Sequence, residues 1–172
     1  MNNIVLIGFM GVGKGSVARE IVRQSGMVAI DTDDIIESME NRKIKKIFEE
    51  EGEPYFRKIE ARVAKWLRES VNDTLISTGG GFYKVPKLQK IGKIVLLDAP
   101  FETIYQRIID HPNAQKKLKK RPLFQDVNKA EALYNEREPH YRAVADIVID
   151  VSGKDYATIA KEILKKTAKH SE

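Results

Sequence analysis

The chain has 172 residues, 42% of them apolar and 32% charged, with a formal charge of +5 and no cysteine. That length fits one domain spanning 1–172 with a core of its own. The missing cysteines exclude disulfides, thiolate metal sites and a thiol nucleophile, and they suit a reducing compartment. The longest apolar runs are four residues, as in Ile4–Ile7, against the roughly 20 that a membrane helix needs. Met1-Asn2-Asn3 carries no basic leader, so a cytoplasmic protein without a membrane span is expected.

Ile4–Ile7 reads as the first buried strand. Gly8-Phe9-Met10-Gly11-Val12-Gly13-Lys14 follows it directly and leads into an amphipathic helix over Ser16–Gln24. This G-x-x-x-x-G-K in a strand–loop–helix context predicts a phosphate-binding loop. Its glycines let backbone N–H groups converge on phosphate oxygens, the helix start adds a positive dipole end, and Lys14 adds a point charge. The lysine of such loops is usually followed by Ser or Thr, whose hydroxyl reaches Mg²⁺; here Gly15 stands there and Ser16 comes next. One step along a helix turns a side chain by about 100°, so Ser16 is no simple replacement.

Val28–Ile30 reads as the second strand, followed by Asp31-Thr32-Asp33. In an extended segment alternate residues point the same way, which would aim both carboxylates at one site. One is suited to holding Mg²⁺ through water and the other to accepting a proton, with helix capping as the alternative for each. Asp34 is expected to open the next helix as a cap or first-turn acid. Tyr55, Ile59, Val63 and Leu67 recur at helical spacing, with Trp66 assigned to the same buried group. On that helix Arg57 and Glu60 form either a carboxylate clamp with its holder or an ordinary exposed ion pair. Thr74–Thr78, with Leu75–Ile76 at its centre, is the third strand, and Gly79-Gly80-Gly81 after it is either a surface for a ligand or a plain turn.

Ile94–Leu97 and Ile147–Ile149 complete five buried strands of a parallel sheet. Pro54, Pro86, Pro100 and Pro112 fall at element ends. From His111 to about Asn128 the chain is expected to be irregular, a length typical of lids and binding loops. Its first part, 111–125, holds Lys116, Lys117, Lys119, Lys120 and Arg121 and no acid, which accounts for the whole charge excess. Tyr156, Ile159, Ala160, Ile163 and Leu164 form a closing helical stripe. Strand–helix alternation predicts a three-layer α/β fold.

In order along the chain, the loop Gly8–Lys14, Asp31-Thr32-Asp33, Phe56-Arg57-Lys58-Ile59-Glu60, Gly79-Gly80-Gly81, Arg121-Pro122-Leu123 and Arg137 ahead of Tyr141 resemble the shikimate kinase family over essentially the full length. The resemblance implies a nucleoside-monophosphate-kinase-like fold with a mobile lid near 111–125 and an acceptor-binding helical segment near 33–62. It implies transfer of the ATP γ-phosphoryl to the 3-hydroxyl of shikimate, with Mg²⁺. By position, Asp33, Lys14 and Arg121 would be catalytic. Asp33, Arg57, Arg137 and Gly79 to Gly81 would hold shikimate. Gly11, Val12, Gly13, Lys14, Gly15, Ser16, Arg107 and Arg121 would contact ATP. Ser16, Asp31 and Ser77 would serve the metal, with Gly15 a departure from the family. A monomer binding neither nucleic acid nor membrane is expected. Three other readings stay in view: a related kinase of another small hydroxy acid, a nucleotide-binding protein weakened by Gly15, and a nucleic-acid binder. The last needs aromatics among its basic residues, and 111–125 offers only Phe124.

Overall fold

The computed structural model describes residues 2–168. In chain order the elements are β1 (Ile4–Ile7), α1 (Lys14–Ser25), β2 (Val28–Asp31), α2 (Thr32–Glu40), α3 (Ile44–Glu51), α4 (Glu53–Ser70), β3 (Thr74–Ser77), β4 (Lys93–Asp98), α5 (Phe101–Ile109), α6 (Ala114–Lys119), α7 (Val127–Val144), β5 (Ile147–Asp150) and α8 (Tyr156–Ala168). Short 3₁₀ turns occupy Phe82–Lys84, Leu88–Lys90 and Pro122–Gln125. The five strands run parallel in the order β2-β3-β1-β4-β5, so β1 lies at the centre and the loop after it opens at the middle of the sheet edge. This is the α/β architecture expected, with helices flanking a parallel sheet.

The inner strands β1, β3 and β4 are apolar because both faces are covered; Val5, Leu6, Leu75, Ile76, Ile94 and Val95 have no exposed surface. The outer strands depart from the expectation of five buried runs. Val28 is 68% exposed in β2, and β5 alternates, with Ile147 and Ile149 inward and Val148 outward. Both are edge strands with a partner on one side only. Asn3, just ahead of β1, is buried and ties three strands together. Its amide donates to the Val71 and Ile91 carbonyls at 2.8 and 2.9 Å, and its oxygen accepts from the Thr74 amide at 3.0 Å.

Two other expectations are corrected. Trp66 is exposed rather than core; it lies about 60° round α4 from Val63, at the margin of the stripe formed by Phe56, Ile59, Val63 and Leu67. The segment from His111 to Asn128 is not irregular, since it contains α6, the Pro122–Gln125 turn and the start of α7. No residue of α6 is buried. It therefore shows no apolar stripe by which periodicity would find it.

Candidate active site

The loop from Gly8 to Gly13 joins the end of β1 to the start of α1. Gly11 and Gly13 have φ of 83° and 106°, values that side chains rarely adopt. Lys14 Nζ donates to the Gly8 and Phe9 carbonyls at 2.6 and 3.1 Å, arching over its own loop. Burial pushes its pKa down to about 8, although Asp33 and Asp31 pull the other way. Gly15 is exposed, and a Cβ there would meet only the Arg19 guanidinium at 3.7 Å, so a side chain would fit. Ser16 Oγ accepts a 3.2 Å hydrogen bond from that guanidinium. Arg107 reaches the loop from α5, donating to the Val12 and Val151 carbonyls and lying over the Tyr156 ring.

The two aspartates occupy different elements. Asp31 ends β2 and caps α2, its Oδ1 accepting from the Asp33 and Asp34 amides at 2.9 and 3.2 Å. The helix thus begins at Thr32, earlier than an extended Asp-x-Asp requires, and Asp33 sits in its first turn beside Asp34. Both still feel Lys14 electrostatically. Asp33 is the unusual one. Its Oδ1 is buried without a partner, and burial, with Asp31 and Glu60 nearby, pushes its pKa up to about 7.

The glycine triplet explains itself once its neighbours are seen. A Cβ on Gly79 would lie 2.6 Å from Asp33 Oδ1, one on Gly80 would lie 3.0 Å from Arg137 Nη1, and one on Gly81 would lie within Arg57, closer than any side chain permits. Each glycine therefore admits a different charged group against the backbone. Arg57 is aimed by Glu60 at 2.9 Å and by Glu53 at 3.1 and 3.2 Å. Glu60 is fully buried, with one oxygen unpartnered and its pKa raised by that burial. The exposed ion pair considered for Arg57 is thus excluded on the Glu60 side. Arg137 Nε is likewise buried and unpartnered.

These groups line one cleft of about 690 Å³, which Arg121, Pro122 and Leu123 and Met10 of the loop also line. Arg121 forms no hydrogen bond or ion pair through its side chain among the described residues, and burial holds its pKa below the usual value. Its charge is felt at Lys14. The structure thus gathers Lys14, Asp31, Asp33, Arg57, Gly79 to Gly81, Arg121 and Arg137 at one end of the sheet. Ser77 joins them from the end of β3, buried and in register with Asp31.

The sequence model of the shikimate kinase family matches residues 10–168. The chain is 40% identical over 168 residues to the shikimate kinase of Helicobacter hepaticus, covering 96% of this chain and 98% of that one. It is 41% identical over 173 residues to that of Caldanaerobacter subterraneus, covering 96% and 95%. The chain belongs to the shikimate kinase family. Among solved structures, the Acinetobacter baumannii shikimate kinase in complex with shikimate superposes with a TM-score of 0.84 at 32% identity, covering 99% of this chain and 94% of that one.

Tyr141 contributes to this kinase site in a way that sequence spacing does not disclose. Its hydroxyl donates to the Gly80 carbonyl at 2.6 Å, and burial pushes its pKa up to about 12, so it remains a donor and fixes the triplet. Glu37 is a second such residue. It lines the cleft and accepts from the Ile44 amide at 3.0 Å, serving the start of α3 from α2. Both links cross between elements, and no local pattern announces them.

Mg²⁺ is the metal that the kinase reading brings with it. Among the described residues no cluster of three His, Cys, Asp or Glu side chains is arranged to hold a metal. Asp31 has one oxygen engaged in capping and one outside the cap, and its backbone pairs in register with Ser77. So sparse a donor set fits Mg²⁺ that arrives on nucleotide phosphates and keeps most of its waters.

Proposed function

We infer that this enzyme transfers the γ-phosphoryl of ATP to the 3-hydroxyl of shikimate, giving shikimate 3-phosphate and ADP for aromatic amino acid biosynthesis. The observation that carries this is the order of charges along the glycine triplet: a carboxylate at Gly79, then guanidinium groups at Gly80 and Gly81. A small hydroxylated carboxylic acid has the complementary polarity, with hydroxyls for Asp33 and a carboxylate for Arg57 and Arg137. The orphaned Asp33 Oδ1 and Arg137 Nε are an acceptor and a donor for such a molecule.

Arg57 and Arg137 grip the carboxylate, and the glycine backbone lets the ring lie flat against it. Asp33 orients the attacking hydroxyl and takes its proton; a base with a pKa near 7 suits transfer at neutral pH. The hydroxyl oxygen bonds to the γ-phosphorus as the bond to the bridging oxygen of ADP breaks. Lys14 and Arg121 offset charge on the phosphates, and Gly11 and Gly13 to Ser16 present backbone N–H groups to them, while the Val12 amide donates to the Phe9 carbonyl at 3.2 Å and shapes the loop. Arg107, held between Val12 and Tyr156, lies on the side where adenine would rest. Asp31 and Ser77 would hold Mg²⁺ through water, with Ser16 a further hydroxyl nearby. Bound, the ion neutralises phosphate charge. The chemistry is chiefly positioning and charge neutralisation, and closure of 111–125 would keep water out. We take the enzyme to act as a monomer on small metabolites in the cytoplasm.

An assay of ADP release with shikimate, repeated with other hydroxy acids, tests the acceptor. Arg57→Ala tests the clamp: the KM for shikimate should rise by about 100-fold, the loss of one charge-assisted pair, while the KM for ATP changes by no more than about threefold. Equal damage to both would remove Arg57 from the acceptor site.

A further inference from the structure

Of the described residues between Ile109 and Lys129, Phe124 alone is buried. It sits on the Pro122–Gln125 turn, and its amide donates to the Arg121 carbonyl at 3.0 Å, one hydrogen-bonded turn from that arginine. Its ring meets three others. Phe9 of the phosphate loop lies edge-on at 6.1 Å between centroids, and Phe101 and Tyr105 of α5 stack nearly parallel at 6.3 and 6.2 Å. Phe9 is in turn held by Phe101 and by Tyr134 of α7. The loop that cradles phosphates and the turn that carries Arg121 therefore share one aromatic cluster.

The rest of the segment is built differently. No residue of α6 is buried, and Leu118 is only partly covered. Aromatic pairs have preferred offset and edge-to-face geometries, so a cluster of this kind fixes distance and direction and not merely burial. We propose that Phe124 is a positioning residue for phosphoryl transfer: it sets the backbone of Arg121 at a fixed distance from the phosphate loop, and the exposed residues before it move about that point. Phe124 touches no reacting atom and acts only through Arg121. This rests on the reading of Arg121 as a phosphate-neutralising residue.

The experiment is a double-mutant cycle on the full chain with Phe124→Leu and Arg121→Ala. Arg121→Ala alone should lower kcat by about 30-fold or more. Phe124→Leu alone keeps an apolar side chain in place, so the fold survives. It should lower kcat by about 10-fold and leave the KM for ATP and for shikimate within about twofold. In the Arg121→Ala background, Phe124→Leu should cost no further kcat, although melting temperature falls by the same amount in both backgrounds. If Phe124→Leu lowers kcat by the same factor in both backgrounds, or acts on either KM instead, the proposal is overturned and Phe124 is only structural. If Arg121→Ala leaves kcat unchanged, it is the reading of Arg121 that falls, and the proposal with it.

Discussion

The acceptor side and the lid side of this molecule are held by opposite means. Around the acceptor pocket, α2, α3 and α4 are tied by polar contacts in which at least one partner is partly or fully buried. Arg42 pairs with Glu40, Glu50 and Glu51 at 2.9, 2.6 and 3.3 Å, Tyr55 donates to Glu40 at 3.0 Å, and Arg57 lies between Glu53 and Glu60. In the lid, Lys116, Lys117, Lys119 and Lys120 form no ion pair among the described residues. Exposed pairs contribute little in any case, so what matters is where the charge is desolvated. The acceptor pocket keeps buried, under-partnered charges aimed at a ligand, whereas the lid buries Arg121 in part and leaves most of its lysine charge in solvent. One half is shaped for a single small molecule before that molecule arrives. The other is an exposed positive surface suited to a polyanion.

The largest test of this contrast removes the acceptor pocket's most strained charge. Asp33→Asn should lower kcat by about 1,000-fold, within the range for a lost general base, and should raise thermal stability. With a pKa near 7 in the folded chain against 3.8 when unfolded, this carboxyl binds its proton more readily when folded. Its contribution to stability is therefore favourable below pH 3.8 and falls away as pH rises toward 7, where the folded protein must bury the anion. The gain in melting temperature from Asp33→Asn should accordingly be larger at pH 8 than at pH 5. In the unmodified enzyme kcat/KM for shikimate should fall about tenfold per pH unit below 7, as Asp33 takes up its proton. A flat profile from pH 5 to 8 would show that Asp33 stays ionised.

A smaller effect is expected from crowding the same pocket. Gly81→Ala puts a methyl group where the Arg57 guanidinium lies, so kcat/KM for shikimate should drop by about 10- to 100-fold while ADP binding, measured by calorimetry, is unchanged. Loss of both would mean that the triplet supports the whole fold. The smallest effect belongs to the nucleotide side. Gly15→Ser fits without a clash, and magnesium titrations should show activity raised by at most about threefold, or a tighter dependence on Mg²⁺, one hydroxyl added to a mostly hydrated ion. No change at all would mean that Ser16, Asp31 or water already suffices.

Local signals were readable in the sequence and long-range ones were not. The phosphate loop is a seven-residue pattern bounded by a strand and a helix, and the structure places it as expected. Arg57 and Glu60 are three residues apart, so their pairing could be foreseen, but the burial that makes it strong comes from packing across α4. The triplet's meaning lies in Asp33, Arg137 and Arg57, which reach it from α2, α7 and α4. Asp31 takes the capping role that its sequence position also allows, and its capping of α2 ends the extended segment sooner than strict alternation assumes. Trp66 departs from its expected burial because a large apolar residue at the margin of a stripe satisfies periodicity without being covered.

The strand order carries a consequence of its own. The phosphate loop leaves β1, the glycine triplet leaves β3, and the aspartates leave β2, and these three strands are neighbours, with Leu6, Ser77 and Asp31 in one row. Backbone hydrogen bonds space adjacent strands about 4.8 Å apart. On the proposed function, the separation of donor phosphate from acceptor hydroxyl would be gauged by the peptide ladder itself, a ruler that ordinary side-chain substitutions leave unchanged.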